Sequence, residues 1–352
     1  MRVRRDVLAA FTLALVAVAG ALMAWRLSEA RSPGTATGSI AASGTAPTLQ
    51  PLDTTPTVEP AAIGLADGID APAGPLQPTP VELPEFDEGR ALRAAGDLEA
   101  LGPRGGGSDA EAKAAEYLRD RLVQLGLDAR VEEFALPDGA TSRNVVARIA
   151  GSTDRLFVLG AHMDTKPPSP GANDNASGCG ALLEIARLLA ADPPVTTVEI
   201  VFFGSEETIG SDPNAHHFGS RYRVSQMSEA ERMKTAGMIS IDMIGYGPEF
   251  HSRTMGRGPM VLSDMLLARA RTLGIRMTYR KDPGASGWSD HEAYELAGLP
   301  VAWLEWRDDP AYHTAGDTSG RLSGAKIATA GRLILEFMRG LDAAALGHLA
   351  EG

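Results

Sequence analysis

The stretch "RLFVLGAHMDTKPPSPGANDNASGCGALLEIARLL", Arg155 to Leu189, decides the fold. It opens on an unbroken apolar run, Leu156 to Ala161, which reads as a strand buried on both faces. It closes on Gly180 to Leu189, which reads as an amphipathic helix. Between them, His162, Asp164 and Asp174 lie among prolines and glycines on the rim where strand passes to helix. Carboxylates gathered on such a rim repel one another unless a cation lies among them.

The same alternation extends outward in both directions. "RVEEFAL" and "NVVARIAG" precede the central stretch as short strands. "TVEIVFFG", "GMISIDMIG" and "VAWLEW" follow it as near-continuous apolar strands, separated by helical segments such as "GPMVLSDMLLARARTLG". Before them, "SDAEAKAAEYLRDRLVQLG" sets Ser108 and Glu111 in capping-box spacing, places Ala114, Leu118 and Leu122 on one face, and stops at Gly126. A closing helix is expected from about Ser323 to Leu341. Apolar strands alternating with helices predict an α/β domain over 86–352, with a mainly parallel mixed sheet covered by helices on both faces.

Ahead of that domain the character of the chain changes twice. "MRVRR" precedes an apolar run from Val7 to Trp25, long for a signal peptide and long enough to span a bilayer. Residues 1–31 are therefore read as a single-pass membrane anchor, with a cleaved signal peptide as the alternative. The flanking arginines would stay in the cytoplasm and export the remainder, to the periplasm or the extracellular space. Residues 32–85 are rich in proline, alanine, threonine and glycine and too poor in apolar residues to repay the entropy of ordering, so a disordered linker is expected there.

The 352 residues carry a net charge of −12 with 44% hydrophobic residues, which suits a sizeable core and argues against a nucleic-acid partner. The loose cationic scatter from Arg271 to Lys281 reads as a solvated helix face. Cys179 is the single cysteine, so no intrachain disulfide forms; flanked by Gly178 and Gly180, it reads as a small packed residue rather than a nucleophile.

In open α/β sheets, sites form beyond the carboxyl ends of the strands. "FVLGAHMD" ends on His162 and Asp164, "EIVFFGSEE" on Glu206 and Glu207, "ISIDMIG" on Asp242, and "VAWLEWRDDPAYHTAGDT" delivers His313. Asp174 joins them from the loop. Each fragment alone is weak, since most such residues are solvated charge or turn formers. Together, two imidazoles and several carboxylates at successive strand ends suit a metal with nitrogen and oxygen ligands. There is no thiolate set for a structural zinc site and no H-E-x-x-H helix.

At these residues the chain resembles the di-zinc exopeptidases of peptidase clan MH, which include bacterial leucyl-type aminopeptidases, glutamate carboxypeptidases and glutaminyl cyclases. The resemblance runs from about Leu101 to the C-terminal helix and rests on "LGPRGGGSDAEAKAAEYL", "GAHMDT", "PGANDNASG", "FFGSEE", "IDMIG", "SDHEAYELAGLP" and "YHTAGDT". It implies a zinc-exopeptidase fold and two Zn2+ per chain, with cobalt or manganese as substitutes. By the same resemblance His162, Asp174 and Asp242 hold one zinc, and Asp174, Glu207 and His313 the other. Glu206 is then the general acid/base and Asp164 the carboxylate that orients the His162 ring. Tyr312 matches a tyrosine that hydrogen-bonds the oxyanion in the carboxypeptidase branch, or it packs beside its neighbour. Trp288, Ser289, Asp290 and His291 would wall or support the substrate pocket, while His251 and His348 read as surface histidines. The segment "TIGSDPNAHHFGS" after Glu207 is longer than the family's usual one and brings in His216 and His217, read as a loop shaping the specificity pocket.

The expected activity is that of an aminopeptidase acting on peptides. A carboxypeptidase or dipeptidase, kept open by Arg221, Arg223 and Arg307, and a glutaminyl cyclase are the alternatives within the family. A non-catalytic peptide-binding module is the alternative outside it, and it is opposed by the complete set of ligand and base positions.

Overall fold

The computed structural model describes residues 85–351. The expected anchor at 1–31 and nearly all of the linker lie outside them. Among the described residues no helix is long and apolar enough to cross a membrane.

Eight strands form one sheet: β1 Ala129–Ala135, β2 Thr141–Ile149, β3 Leu156–His162, β4 Thr197–Phe203, β5 Thr235–Ile241, β6 Glu249–Thr254, β7 Thr278–Lys281 and β8 Val301–Arg307. Their order is β1-β2-β4-β3-β5-β8-β6-β7. The centre, β4-β3-β5-β8, is parallel throughout, whereas β1 with β2, β2 with β4 and β6 with β8 pair antiparallel. The sheet is thus mixed, with the expected parallel core.

Period-two alternation divides the central strands between two cores. Phe157, Leu159 and Ala161 of β3, Val198, Ile200 and Phe202 of β4, and Ile239 and Ile241 of β5 face the larger one. Covering it are α1 (Glu88–Glu99), α2 (Asp109–Gln124), α3 (Ser177–Ala191), α6 (Val261–Thr272), α8 (Gly324–Arg339) and α9 (Ala343–Glu351). Val158, Val201, Phe203 and Met238 face the smaller core, under α4 (Phe218–Ser225) and α7 (His291–Leu296). The short α5 (Glu229–Lys234) leads into β5. Helices on both faces follow from this division, as the sequence pattern anticipated.

Several details depart from the sequence reading. The helix after Gly178 is not amphipathic: α3 is buried from Ser177 to Leu189 apart from Arg187, because α1 and α8 pack over the side turned away from the sheet. Gly180 permits this, since a Cβ there would meet the backbone of Ala91 in α1. On α2, Ala114, Leu118 and Leu122 are fully buried as expected, and Ser108 accepts from the Glu111 amide at 3.2 Å. The return half of the capping box is missing, because the Glu111 carboxylate turns instead to the Gly107 amide (2.7 Å), the Ser142 hydroxyl (2.7 Å) and the Ser205 amide (3.0 Å). Strands β6 and β7 were not legible, being polar (EFHSRT, TYRK). They also correct two expectations. His251 is not a surface residue but a buried residue of β6, its Nδ1 2.9 Å from the Thr278 hydroxyl, because β6 is an interior strand between β8 and β7. The cationic scatter is solvated, yet only its first part is helical; Arg280 and Lys281 belong to the exposed edge strand β7.

Candidate metal centre

The carboxyl ends of β3, β4, β5 and β8 open on one edge, and every expected ligand is found there. His162 is the last residue of β3, Asp242 the first residue after β5, and Glu206 and Glu207 follow β4 after Gly204 and Ser205. His313 comes from the turn after β8, and Asp174 from the π-type turn Ala172–Ala176 that enters α3. Asp174 Oδ1 lies 3.2 Å from His162 Nε2, and its Oδ2 lies 3.2 Å from His313 Nε2. One carboxylate thus spans both imidazoles. Asp242 Oδ1 is 3.3 Å from His162 Nε2, and Glu207 Oε1 is 2.9 Å from His313 Nε2. Within each of two groups, His162 with Asp242 and Glu206, and His313 with Asp174 and Glu207, the donor atoms lie within 4.8 Å of one another.

This arrangement fits a cation. Asp174 Oδ2, Asp242 Oδ1 and His162 Nδ1 are buried without a hydrogen-bond partner, a state that protein interiors avoid. Burial, and then the neighbouring charge of Asp174, push Glu207 up to about 8. Burial lowers His313, but its hydrogen bonds to Asp174 and Glu207 prevail and hold it up at about 10. Carboxylates and imidazoles this close stay together either by holding protons or by sharing a metal. Two imidazoles with several carboxylates and no thiolate suit zinc or a similar borderline ion.

The supports reach well beyond the ligands. Asp317 accepts from the amides of Asn173 (2.7 Å) and Asp174 (3.0 Å), and Asn173 Nδ2 donates to Asp309 (2.9 Å). Arg104, fully buried and without a carboxylate partner, donates to the carbonyls of Leu98, Gly102, Met163, Pro170 and Gly171 and so ties the Asp174 loop to the domain. The Ser289 hydroxyl donates to Asp242 Oδ2 at 2.8 Å. Asp164 takes the Glu206 and Glu207 amides at 3.0 and 3.1 Å and stands 3.5 Å from His162 Nδ1. Its firmer hold is therefore on the Glu206–Glu207 backbone. The Cys179 thiol donates to the His162 carbonyl at 3.1 Å, and burial pushes it up to about 12, so it packs as expected and stays inert. Ser205, His217, Met243, Asp308 and His313 have positive φ (50° to 69°), and all five lie at or beside the cluster. Such backbone persists where the surroundings enforce it, as they do at functional sites.

A cavity of about 430 Å³ opens over the cluster. Trp288, 46% exposed, and Trp303 form part of its wall, as do His216, Arg307 and Tyr312. Tyr312 is half exposed and stacks on His313, with ring centroids 3.6 Å apart at 24°. His291 and Asp290 are fully buried behind the wall, and His348 is exposed as expected. Of the three arginines considered for a substrate carboxylate, Arg223 is spent on a bidentate pair with Glu199. Arg221 reaches Asn214 O and Glu292, and Arg307, in the cavity wall, sits beside Glu305 (3.4 Å) and Asp308 (3.7 Å). His216 and His217 do border the site, but their partner Glu292, in α7, was not foreseen.

Residues 144–338, more than half of the chain, match the model of peptidase family M28. The chain belongs to this family. Its membership agrees with the resemblance carried by the strand-end motifs. Among relatives, this M28 chain is 31% identical over 205 residues to aminopeptidase YwaD of Bacillus subtilis, covering 55% of this chain and 43% of that protein. It spans about half the length of relatives such as this one. Among solved structures, the M28 domain is similar to BSAP, a zinc aminopeptidase from Bacillus subtilis (TM-score 0.66, 19% identity, 73% of this chain and 95% of that chain). It is also similar to Bacteroides thetaiotaomicron glutaminyl cyclase bound to N-acetylhistamine (TM-score 0.67, 22% identity, 74% of this chain and 100% of that chain).

Proposed function

We propose that this chain is a zinc-dependent aminopeptidase that removes N-terminal residues from peptides, held at the cell membrane by its N-terminal segment with the catalytic domain outside the cytoplasm. The observation that carries the reading is the Asp174 carboxylate, whose two oxygens each lie 3.2 Å from a different histidine. His162, Asp174 and Asp242 would hold one zinc, and Asp174, Glu207 and His313 a second. When bound, zinc supplies Lewis acidity, polarising the scissile carbonyl and making water nucleophilic at neutral pH. Glu206, beside the ligand Glu207 and held to Asp164 through its amide, takes the proton of the attacking water and returns it to the leaving amine. Tyr312, stacked on His313 at the mouth, donates its hydroxyl to the oxyanion. Acidic neighbours around Arg307 and the pairing of Arg221 and Arg223 favour an ammonium over a carboxylate as the substrate group recognised.

Mass spectrometry of a mixed peptide panel incubated with the zinc-loaded full chain tests this. Progressive loss from free N-termini, with N-blocked peptides untouched and activity abolished by chelation, is expected. Loss from C-termini instead would assign a carboxypeptidase. Loss of ammonia from N-terminal glutamine would assign a cyclase, the second reading, since glutaminyl cyclases are among the proteins that share this fold.

A further inference from the structure

Behind Glu206 lies a second cluster that the two metal groups do not use. The His217 ring is buried between two carboxylates: its Nε2 is 3.0 Å from Glu206 Oε1, and its Nδ1 meets Glu292 Oε2. Arg221 Nη2 reaches the same Glu292 oxygen at 3.4 Å. His216 stands edge-on to His217, centroids 4.0 Å apart, and burial followed by the charge of His217 draws it down to about 4, so it is a neutral buttress. Burial lowers His217 too, but Glu206 and then Glu292 overcome it and hold it up at about 10. Both ring nitrogens face carboxylate oxygens, so a ring that carries two protons bridges Glu206 to Glu292.

The seat of the ring is rigid. The amides of His217, Phe218 and Gly219 donate to the carbonyls of Glu206, Ser205 and Gly204 at 2.8, 2.9 and 3.0 Å, lacing the two segments together in reverse order. His217 itself is left-handed (φ 56°, ψ 33°), a conformation that costs a residue with a Cβ. The longer segment after Glu207 thus spends backbone strain to place an imidazole ring against one oxygen of Glu206.

We propose that His217 is a positioning residue for Glu206, and that Glu292 orients it, so that Glu206 keeps one carboxylate rotamer with its other oxygen directed to the reacting water. The inference rests on the reading of Glu206 as general base. His217 acts by fixing one oxygen of Glu206 and is not itself the proton acceptor.

His217→Gly removes the ring while suiting the left-handed backbone, so the fold is not penalised by conformation. In the full chain it is expected to lower kcat by about 10–100-fold, the usual effect of removing a residue that orients a catalytic group. KM stays within about twofold and zinc content is unchanged. Added imidazole, entering the vacated space, recovers about tenfold of the lost kcat, whereas a purely structural role would not respond. Glu292→Gln, which keeps the shape and loses the charge, shows a smaller loss of the same kind. The proposal is overturned if His217→Gly retains full kcat, if its loss is not restored by imidazole, or if it loses zinc. Glu206→Gln serves as the control. Should that variant remain active, the general-base reading fails; should it be inactive while His217→Gly is unimpaired, only the present inference fails.

Discussion

Arg104 offers the sharpest test of how the Asp174 loop is held. Its guanidinium donates to Met163 O (2.9 Å), Leu98 O (2.9 Å), Pro170 O (2.7 Å), Gly171 O (3.1 Å) and Gly102 O (3.3 Å), with no exposed surface. Arg104→Met keeps most of the apolar stem and removes every one of these donors. Leu98 O and Gly171 O keep the Leu101 and Ala176 amides (3.1 Å each), and if water reaches the partly buried Gly102 and Pro170 carbonyls, Met163 O is the one left unpaired, at about 1–3 kcal/mol. Leu98 O and Gly171 O each lose one further hydrogen bond worth roughly 0.5–1.5 kcal/mol, for a total of roughly 2–6 kcal/mol. At about 2–4 °C per kcal/mol for a domain of this size, a loss near 4 kcal/mol lowers Tm by roughly 8–16 °C. Pro170 and Gly171 lead into the turn that presents Asp174, so zinc affinity falls as well, by about 10–100-fold. Arg104→Lys keeps the charge without the fork and recovers only part of both. Calorimetry and zinc titration of the full chain check this. A melting temperature within about 2 °C of wild type would refute the reasoning. So would a destabilised variant with unchanged zinc affinity.

Two further outcomes are expected. Tyr312→Phe retains the stack on His313 but loses the hydroxyl, so kcat falls by about 10²-fold with KM nearly unchanged in steady-state peptide assays. Full activity would mean that the tyrosine only packs. Glu111 is pushed up to about 7 by burial and then by Asp164, above its unfolded value near 4.5. The folded state therefore binds the proton more tightly. The stability tied to this group is present in full below about pH 4.5 and is lost as pH rises through 7, a change of about 3 kcal/mol. Glu111→Gln removes that slope. Urea midpoints for both proteins at pH 5 and pH 8 check it, and parallel profiles would contradict it.

The parts of the site legible in the sequence are those attached to strong local signals. His162, Glu206, Glu207 and Asp242 follow apolar strands directly, so the strand-end rule collects them, and the parallel core brings those ends to one edge. Asp174 is found by its place in a proline- and glycine-bent loop between a strand and a helix. What escaped depends on distant pairing. The two histidines after Glu207 stand out as a local oddity, but Glu292, 75 residues from His217, carries no local mark of partnership. Arg104 lies in a recognised motif, yet its work is done on carbonyls, which leave no trace in side-chain chemistry. Strands β6 and β7 lack apolar patterning because hydrogen bonding to β8 and the pairing of Arg253 with Asp282 and Glu305 hold polar side chains at the sheet. The same polar character concealed the burial of His251.

The most direct test of the account is a zinc count on the full chain by native mass spectrometry, comparing wild type with Asp174→Asn. A shared carboxylate predicts two zinc ions per wild-type chain and, in the variant, loss of both together with all peptidase activity, because Asp174 would be a ligand to each ion. A single zinc in the wild type, or an Asp174→Asn chain that still holds two, would contradict it.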